Sequence, residues 1–487
     1  MSGIKEKFFF QLLYATSQLL FPLITYPYLT RTLGAVGLGK IAFIEYSSTL
    51  IITVASFGIP FYGVREIAKV SHNAQKKFKL FNELFFLHLI ITIIGLFAFL
   101  LFITLGTDEV IDERLILLGC CNVLLPVFIA DWYLQGTEAF KFTTLRNIVL
   151  RIVGILALFL LVKNETHYVR YFTLIIVIQA LVALSNLYVV NSKNIQLPTL
   201  AAIKQHLKPL IHFFLSASII SIYVFFDVLI LGWFAMDSSV GYYATAIKII
   251  KLSLLLVLSL NVILFPRISN LTGSAKRQRV QELVQKSLNY IIVTTVPLAF
   301  FFYFLAGELI QVFAGESFKP SVILIQLLCT LPFIIGFSNL FVYQVLIPFL
   351  QEKKLLISVL IACILSLGIN IILAAAFKER GTAMATLFTE SIVTILTGYF
   401  AYKTLSYTFP YIGLLQSTVA CLPFVAMVLL LKMWCDNIIL TILISSIVGF
   451  TTYSLLQLFA FKNIIYIHIW NELKERILLL KTKNINA

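Results

Sequence analysis

The sequence predicts an all-α polytopic membrane protein with about fourteen transmembrane helices. Three observations carry the prediction. Of the 487 residues, 60% are hydrophobic and only 12% charged, with a mean hydropathy of +0.97, far from the composition of a soluble domain. The apolar residues fall in continuous runs, and about 20 residues rising about 1.5 Å each are enough to cross a hydrocarbon core. The alternation that marks an outer-membrane strand does not occur in these runs.

In chain order, the first six expected spans are 8–30, 38–61, 81–105, 114–136, 145–163 and 168–191. The next six are 210–234, 241–266, 288–313, 321–348, 355–377 and 381–401, and two more follow at 411–433 and 438–460. Prolines inside the spans (Pro22, Pro27, Pro60, Pro126, Pro266, Pro297, Pro332 and Pro423) predict local kinks. The pair in span 1 marks that helix as a bending element. No A-x-A-like cleavage site follows the first span, so no signal peptide is expected. No loop is long enough for a further domain. The tail 464–481 places Ile469, Leu473, Ile477 and Leu480 at helical spacing among charged residues, which predicts an amphipathic helix on the cytoplasmic membrane surface.

The formal charge of +15 is a topology signal. Arg65, Lys69, Lys76, Lys77 and Lys79 crowd the loop after span 2, and Arg267, Lys276, Arg277, Arg279 and Lys286 that after span 8. Asp108, Glu109, Asp112 and Glu113 mark the loop after span 3. The positive-inside rule puts both termini in the cytoplasm. Nucleic acid is not expected as a partner, whereas anionic lipid headgroups are.

A weak internal repeat sets Val36-Gly37 at the start of span 2 against Val240-Gly241 at the start of span 8, each shortly after a Leu-Gly. It predicts two parallel six-helix halves, with a substrate path between them. The resulting division is 1–191 (spans 1–6), a cytoplasmic linker 192–209, 210–401 (spans 7–12), and the extra pair 411–460.

Enzyme chemistry is not visible. Gly34-Ala-Val-Gly-Leu-Gly39-Lys40 resembles a phosphate loop, but Ile41 stands where Ser or Thr should, and no strand precedes it. The six cysteines are scattered, and all but Cys435 lie in apolar spans, reading as buried structural thiols rather than metal ligands or disulfides. No metal is expected. His88 and His212 stand singly in spans, as packed histidines or as parts of a proton relay.

Charged residues inside the spans are the informative ones, since each costs about 2.5–3.5 kcal/mol at a helix centre. Asp227 lies in the outer half of span 7. Lys248 and Lys251, three apart and so on one face, lie in the outer half of span 8. Two readings stand side by side: Asp227 holds one lysine and leaves the other for a ligand anion, or Asp227 and backbone carbonyls fix both. Glu45 in span 2, Arg151 in span 5 and Glu390 in span 12 call for a cavity or an internal pair. Arg31 closes span 1 at its outer edge and Asp131 closes span 4 at its inner edge, both positions that suit ordinary interfacial side chains. The 43 Phe and 21 Tyr are explained mostly by aromatic belts, with some faces left for stacking on sugars.

YPYLTRTLGAVGLGKIAF and SFGIPFYGVREIAK in spans 1 and 2, DWYLQGTEAFKFTT at the end of span 4, and FDVLILGWFAMDSSVGYYATAIKI with LFPRIS in spans 7 and 8 together resemble the Wzx-type polysaccharide flippases of the multidrug/oligosaccharidyl-lipid/polysaccharide exporter superfamily. The resemblance covers at least 8–270. It implies a bacterial inner-membrane protein that moves undecaprenyl-diphosphate-linked oligosaccharide from the cytoplasmic to the periplasmic leaflet. It further implies two six-helix lobes around a central cavity, switching by alternating access, plus two extra C-terminal helices.

Arg31, Arg151, Lys248 and Lys251 would meet the diphosphate. Arg31, in TRTLGA, occupies the place of an arginine important in the related lipid II flippases, where spans 13 and 14 form a lipid-tail groove. Glu45, Asp227 and Glu390 would serve in charge pairing or ion coupling, and Arg65, Asp131 and Arg267 at a cytoplasmic gate. No cofactor is implied beyond a coupling cation, H+ or Na+. Candidate partners are the lipid-linked glycan, membrane lipids, a polysaccharide polymerase and a chain-length regulator. A cation-coupled drug exporter of the same superfamily would favour acidic cavity residues. A membrane-embedded glycan polymerase or glycosyltransferase would carry a large external loop or soluble domain.

Overall fold

The computed structural model describes residues 2–106, 111–190, 196–272, 277–467, 470–471 and 474–475. Within these the chain is helical throughout: α1 (Ser2–Ala55), α2 (Ile59–Lys69), α3 (Ala74–Gly106), α4 (Glu113–Ile129), α5 (Asp131–Gly136), α6 (Phe140–Leu161), α7 (Tyr168–Val190), α8 (Leu200–Phe234) and α9 (Asp237–Thr272). Then come α10 (Arg277–Phe304), α11 (Ala306–Phe313), α12 (Ser321–Leu328), α13 (Leu331–Leu340), α14 (Glu352–Thr404), α15 (Tyr411–Ala420), α16 (Leu422–Trp434) and α17 (Ile438–Leu455). Most of the expected tail helix at 464–481, and the His212 side chain, lie outside the described residues.

Ten helical stretches among the described residues are long and apolar enough to cross a membrane. Two of them are too long for one crossing. At 54 and 53 residues, α1 and α14 would each extend for about 80 Å against a core of about 30 Å. Each is two helices joined at one non-helical residue: Gly34 (φ 64°, ψ −178°) and Lys378 (φ 50°, ψ −128°). Gly34 tolerates positive φ without cost, whereas Lys378 holds a strained backbone. The second joint doubles back tightly, because a Cβ on Gly381 would sit 1.8 Å from the Leu373 carbonyl oxygen. With α8 and α9, of 35 and 36 residues, helix stands at each of the fourteen expected span positions.

The non-helical joint in α1 lies beyond the prolines of span 1. Pro22 and Pro27 stay inside the helix, and the break comes at Gly34. Span 4 is not continuous: α4 ends at Ala130 in a left-handed conformation (φ 40°) and α5 begins at once. Span 13 is two helices that meet at Cys421.

The chain forms two compact units, Met1–Ala244 with Phe313–Phe318 and Cys363–Ala385, and Thr245–Val312 with Lys319–Ala362 and Thr386–Ala487. In the first, Phe81, Phe85, Trp132, Ile59, Ile67 and Leu210 belong to a core shared by α2, α3, α5 and α8. A buried polar row ties α1, α4 and α7: Asn122 donates to Ser48 Oγ at 2.8 Å and Gln179 donates to Asn122 Oδ1 at 3.1 Å. Such links are the usual adhesive between helices that lipid cannot drive together. In the second unit, Val284, Leu288, Ile291, Phe337, Phe341 and Tyr453 build the core. There, buried Gln344 donates to Asn261 Oδ1 at 2.9 Å.

Candidate functional site

The glycine run 34–39 is a packing device. A Cβ on Gly39 would fall 1.7 Å from the Asp237 carbonyl oxygen, and one on Gly241 would fall 2.1 Å from the Ala35 carbonyl oxygen. Each glycine meets the residue four before the other, so the contact is reciprocal. It pairs Gly39 with Gly241, two residues on from the Val36-Gly37 match read in the sequence. Lys40 beside it reaches Asp237 at 3.9 Å and lies over the Tyr168 ring at 5.4 Å, at a surface position where such a pair contributes little.

Asp227, Arg31, Glu45 and Arg151 all belong to the first unit. Asp227 on α8 is 5% exposed. Its Oδ1 accepts from Asn370 Nδ2 at 2.8 Å and its Oδ2 from the Tyr243 hydroxyl at 3.3 Å. Asn370, on the first half of α14, was not singled out in the sequence. Nothing in a lone Asn 143 residues away announces its partner. Arg31 is exposed and packs along Gly315, a residue with φ 85°, its Cγ 3.6 Å from the ideal Cβ position there. Beside it Thr30 donates to the Phe313 carbonyl at 3.0 Å, which docks 313–318 on the end of span 1. Glu45 is exposed. Arg151 is half-buried, donating to Ser17 Oγ at 2.9 Å with its guanidinium 5.5 Å from the Phe21 ring centroid. It therefore links α6 to α1.

In the second unit, Lys248 is exposed on α9, Lys251 is half-buried one turn on, and Glu390 is 7% exposed in α14. Arg267 is exposed near the end of α9. It lines a cleft of about 630 Å³ with Arg277, Arg279, Glu282 and Lys286, a concentration of positive charge with one carboxylate. A separate apolar cavity of about 380 Å³ lies among α10, α16 and α17, lined by Pro297, Phe301, Phe424, Phe450 and Tyr453.

Of the remaining gate candidates, Arg65 pairs with Glu66 at 2.7 Å and its guanidinium lies 5.4 Å from the Tyr62 ring centroid. Asp131 opens α5 and accepts from Arg146 at 3.5 Å and from Asn186 at 2.9 Å. The rest of DWYLQG seats α5 on α2: Trp132 would meet a Gly63 Cβ at 2.6 Å, and a Gly136 Cβ would meet Ile67 at 2.8 Å. The motif is thus a helix break with a glycine-lined joint.

Two further networks escaped the sequence reading. Tyr62, Glu83 and His206 meet inside the first unit. In the second, Arg277, Gln281 and Gln285, four apart along α10, donate to the carbonyls of Thr404, Ser406 and Thr408. Gln285 Oε1 also accepts from the Thr408 amide at 3.2 Å. These side chains strap the segment between spans 12 and 13 to α10. The i, i+4, i+8 spacing was the available signal.

The sequence profile of the polysaccharide biosynthesis protein family matches residues 4–272, more than half of the chain. The chain belongs to that family. Among curated relatives of this family member, a putative O-antigen transporter of Escherichia coli K12 is 28% identical over 78% of the chain and 92% of its own length. One of Shigella dysenteriae is 23% identical over 77% and 94%. A probable low-salt glycan biosynthesis flippase of Haloferax volcanii is 27% identical over 41% of the chain and 42% of its own length. Among solved structures, the lipid II flippase MurJ in an inward closed conformation aligns with TM-score 0.67 and 17% identity, over 92% of this chain and 99% of that one. An inward-facing MATE family multidrug resistance transporter of the MOP superfamily aligns with TM-score 0.60 and 16% identity, over 80% and 94%. The membrane-spanning fold is therefore shared with these transporters.

Proposed function

We propose that this chain moves oligosaccharide linked to undecaprenyl diphosphate from the cytoplasmic to the periplasmic leaflet of a bacterial inner membrane, by alternating access, for surface polysaccharide synthesis. The observation that carries the reading is the pair Lys248 and Lys251, one turn apart on the 36-residue helix α9, at the position of expected span 8. A diphosphate is the strongly anionic part of such a substrate, and cations in a hydrated path lower the cost of carrying it through hydrocarbon. Arg31 and Arg151 add to this set. Glu45, Asp227 and Glu390 balance its charge or bind a coupling cation, H+ or Na+. The apolar cavity beside spans 13 and 14 suits an isoprenoid tail, and the cleft around Arg267 suits phosphate arriving from the cytoplasm. Arg65 and Asp131, on the first unit, are the residues we assign to cytoplasmic gating there. Lobes at 1–191 and 210–401, a linker at 192–209 and cytoplasmic termini complete the proposal, with a polymerase and a chain-length regulator as downstream partners.

The test is Lys248→Ala with Lys251→Ala in a cell that depends on this protein. Glycan export stops while the variant still inserts in the membrane at the normal level, and lipid-linked glycan accumulates on the cytoplasmic leaflet. Lys→Arg at both positions retains more export than Lys→Gln. Normal surface polysaccharide from the alanine variant would refute the reading.

A further inference from the structure

Tyr62 on α2, Glu83 on α3 and His206 on α8 come together inside the first unit. The Tyr62 hydroxyl lies 2.8 Å from His206 Nδ1, and His206 Nε2 lies 2.9 Å from Glu83 Oε2. Gln205 Nε2 donates to the same carboxylate oxygen at 3.3 Å. The three residues are 6%, 4% and 5% exposed, and fully covered Ile59, Ile67, Phe81, Leu84 and Leu210 share their core.

The hydrogen inventory of this row is short. A neutral imidazole has one donor and one acceptor nitrogen. With Nε2–H donating to Glu83, Nδ1 accepts from Tyr62, and both ring nitrogens are used. Among the described residues, Glu83 Oε1 and its neighbour Asn82 Oδ1 are then buried acceptors with no donor. With histidine neutral, the row carries one uncompensated negative charge in an apolar core, an arrangement that buried sites avoid.

Among the described residues, no lysine or arginine on the packed elements pairs with Glu83. Arg65 and Lys69 close on Glu66, Asp131 is paired with Arg146, Lys76, Lys79, Lys204 and Lys208 are exposed, and Lys77 is half-buried. His88 on α3 is buried, with Nδ1 lacking a partner. Burial and the carboxylates of Glu66 and Glu83 raise the Tyr62 phenol above its usual range, against the opposing pull of Arg65, so it remains a neutral hydroxyl.

The geometry points to a proton-binding site formed by Glu83 and His206 with Tyr62 as its reporter. One proton from bulk water, delivered by hydronium, converts the row from a buried anion to a neutral ion pair or acid–imidazole pair. When the proton resides on His206, both ring nitrogens donate. Tyr62 then accepts from Nδ1 and must turn its own hydrogen away. Proton arrival therefore alters the bond that ties α8 to α2, and α2 carries the glycine joint to α5. The site lies where span 3 and span 7 begin. If the chain exports lipid-linked glycan as proposed, this is a place where a proton gradient acts on it. The coupling role rests on that reading, and the binding of the proton does not.

The experiment uses the full chain reconstituted in lipid vesicles without glycan. Proton uptake and the infrared acid–base difference spectrum are recorded between about pH 8 and pH 5, the range in which histidine titrates. Wild type takes up about one proton more per chain than either Glu83→Gln or His206→Gln, and both variants lose the associated carboxylate band. Tyr62→Phe keeps the uptake but loses the tyrosine band. Glu66→Gln behaves as wild type. Two variants at separate residues keep the test decisive if one fails to assemble. Unchanged uptake and spectra in both would overturn the site. Export that stays fully sensitive to collapse of the proton gradient in Glu83→Gln, with the proton band lost, would overturn the coupling role and leave the flippase reading standing.

Discussion

Asp227 shows how a single charged residue is made tolerable inside the bundle. A carboxylate in a membrane span is expensive alone, and here Asn370 and Tyr243 supply hydrogens to its two oxygens. Removing one donor from a buried acceptor costs about 1–3 kcal/mol, more than the net gain of making the bond. Asn370→Ala is therefore expected to lower the thermal unfolding midpoint of the detergent-purified protein, and Asp227→Asn in the same background to recover part of the loss. An unchanged midpoint in Asn370→Ala would mean that Asp227 is satisfied elsewhere. The sequence made Asp227 conspicuous because hydropathy exposes a lone charge. It could not reveal Asn370, because a neutral amide does not interrupt an apolar run.

At the scale of elements, close backbone approach decides where helices meet. Gly39 and Gly241 each face a carbonyl oxygen nearer than any Cβ can come. Gly39→Ala and Gly241→Ala must therefore push α1 and α9 apart, costing about 1–3 kcal/mol by overpacking. Gly307 has nothing within 4 Å of its ideal Cβ, and Gly307→Ala in α11 is expected to be neutral or slightly stabilising. Comparing the three by membrane yield and thermal midpoint checks the assignment.

The α10 strap gives another expectation. Gln281→Ala with Gln285→Ala removes the side-chain bonds to Ser406 and Thr408, each contributing about 0.5–1.5 kcal/mol. Amide hydrogen exchange should rise at 404–409 and stay unchanged at 59–69. Span positions were legible because apolar length and helix rise are fixed by the bilayer. The Gly34 joint was readable only as a span boundary, whereas Pro126, whose carbonyl accepts from the Ala130 amide, and Pro423, in the first turn after Cys421, signalled kinks beside the other two breaks without fixing their form. They depend on what packs beside them, as with Trp132 under Gly63.

For the whole molecule, loop charge makes a testable statement about orientation. The positive-inside rule predicts termini in the cytoplasm, and with fourteen spans the connection between spans 13 and 14 is then expected on the opposite side. Cys435 lies in that connection, at the C-terminal end of α16, whereas the other five cysteines fall within the expected spans. A membrane-impermeant maleimide needs water and a thiolate, so Cys435 is the thiol it should reach. In intact spheroplasts the wild-type chain is expected to be labelled, and Cys435→Ser to lose most of that label. Labelling of Cys435 only after the membrane is opened would invert the topology. The basic clusters around Arg65 and Arg267 would then face outward, and the leaflet from which substrate is taken would reverse with them.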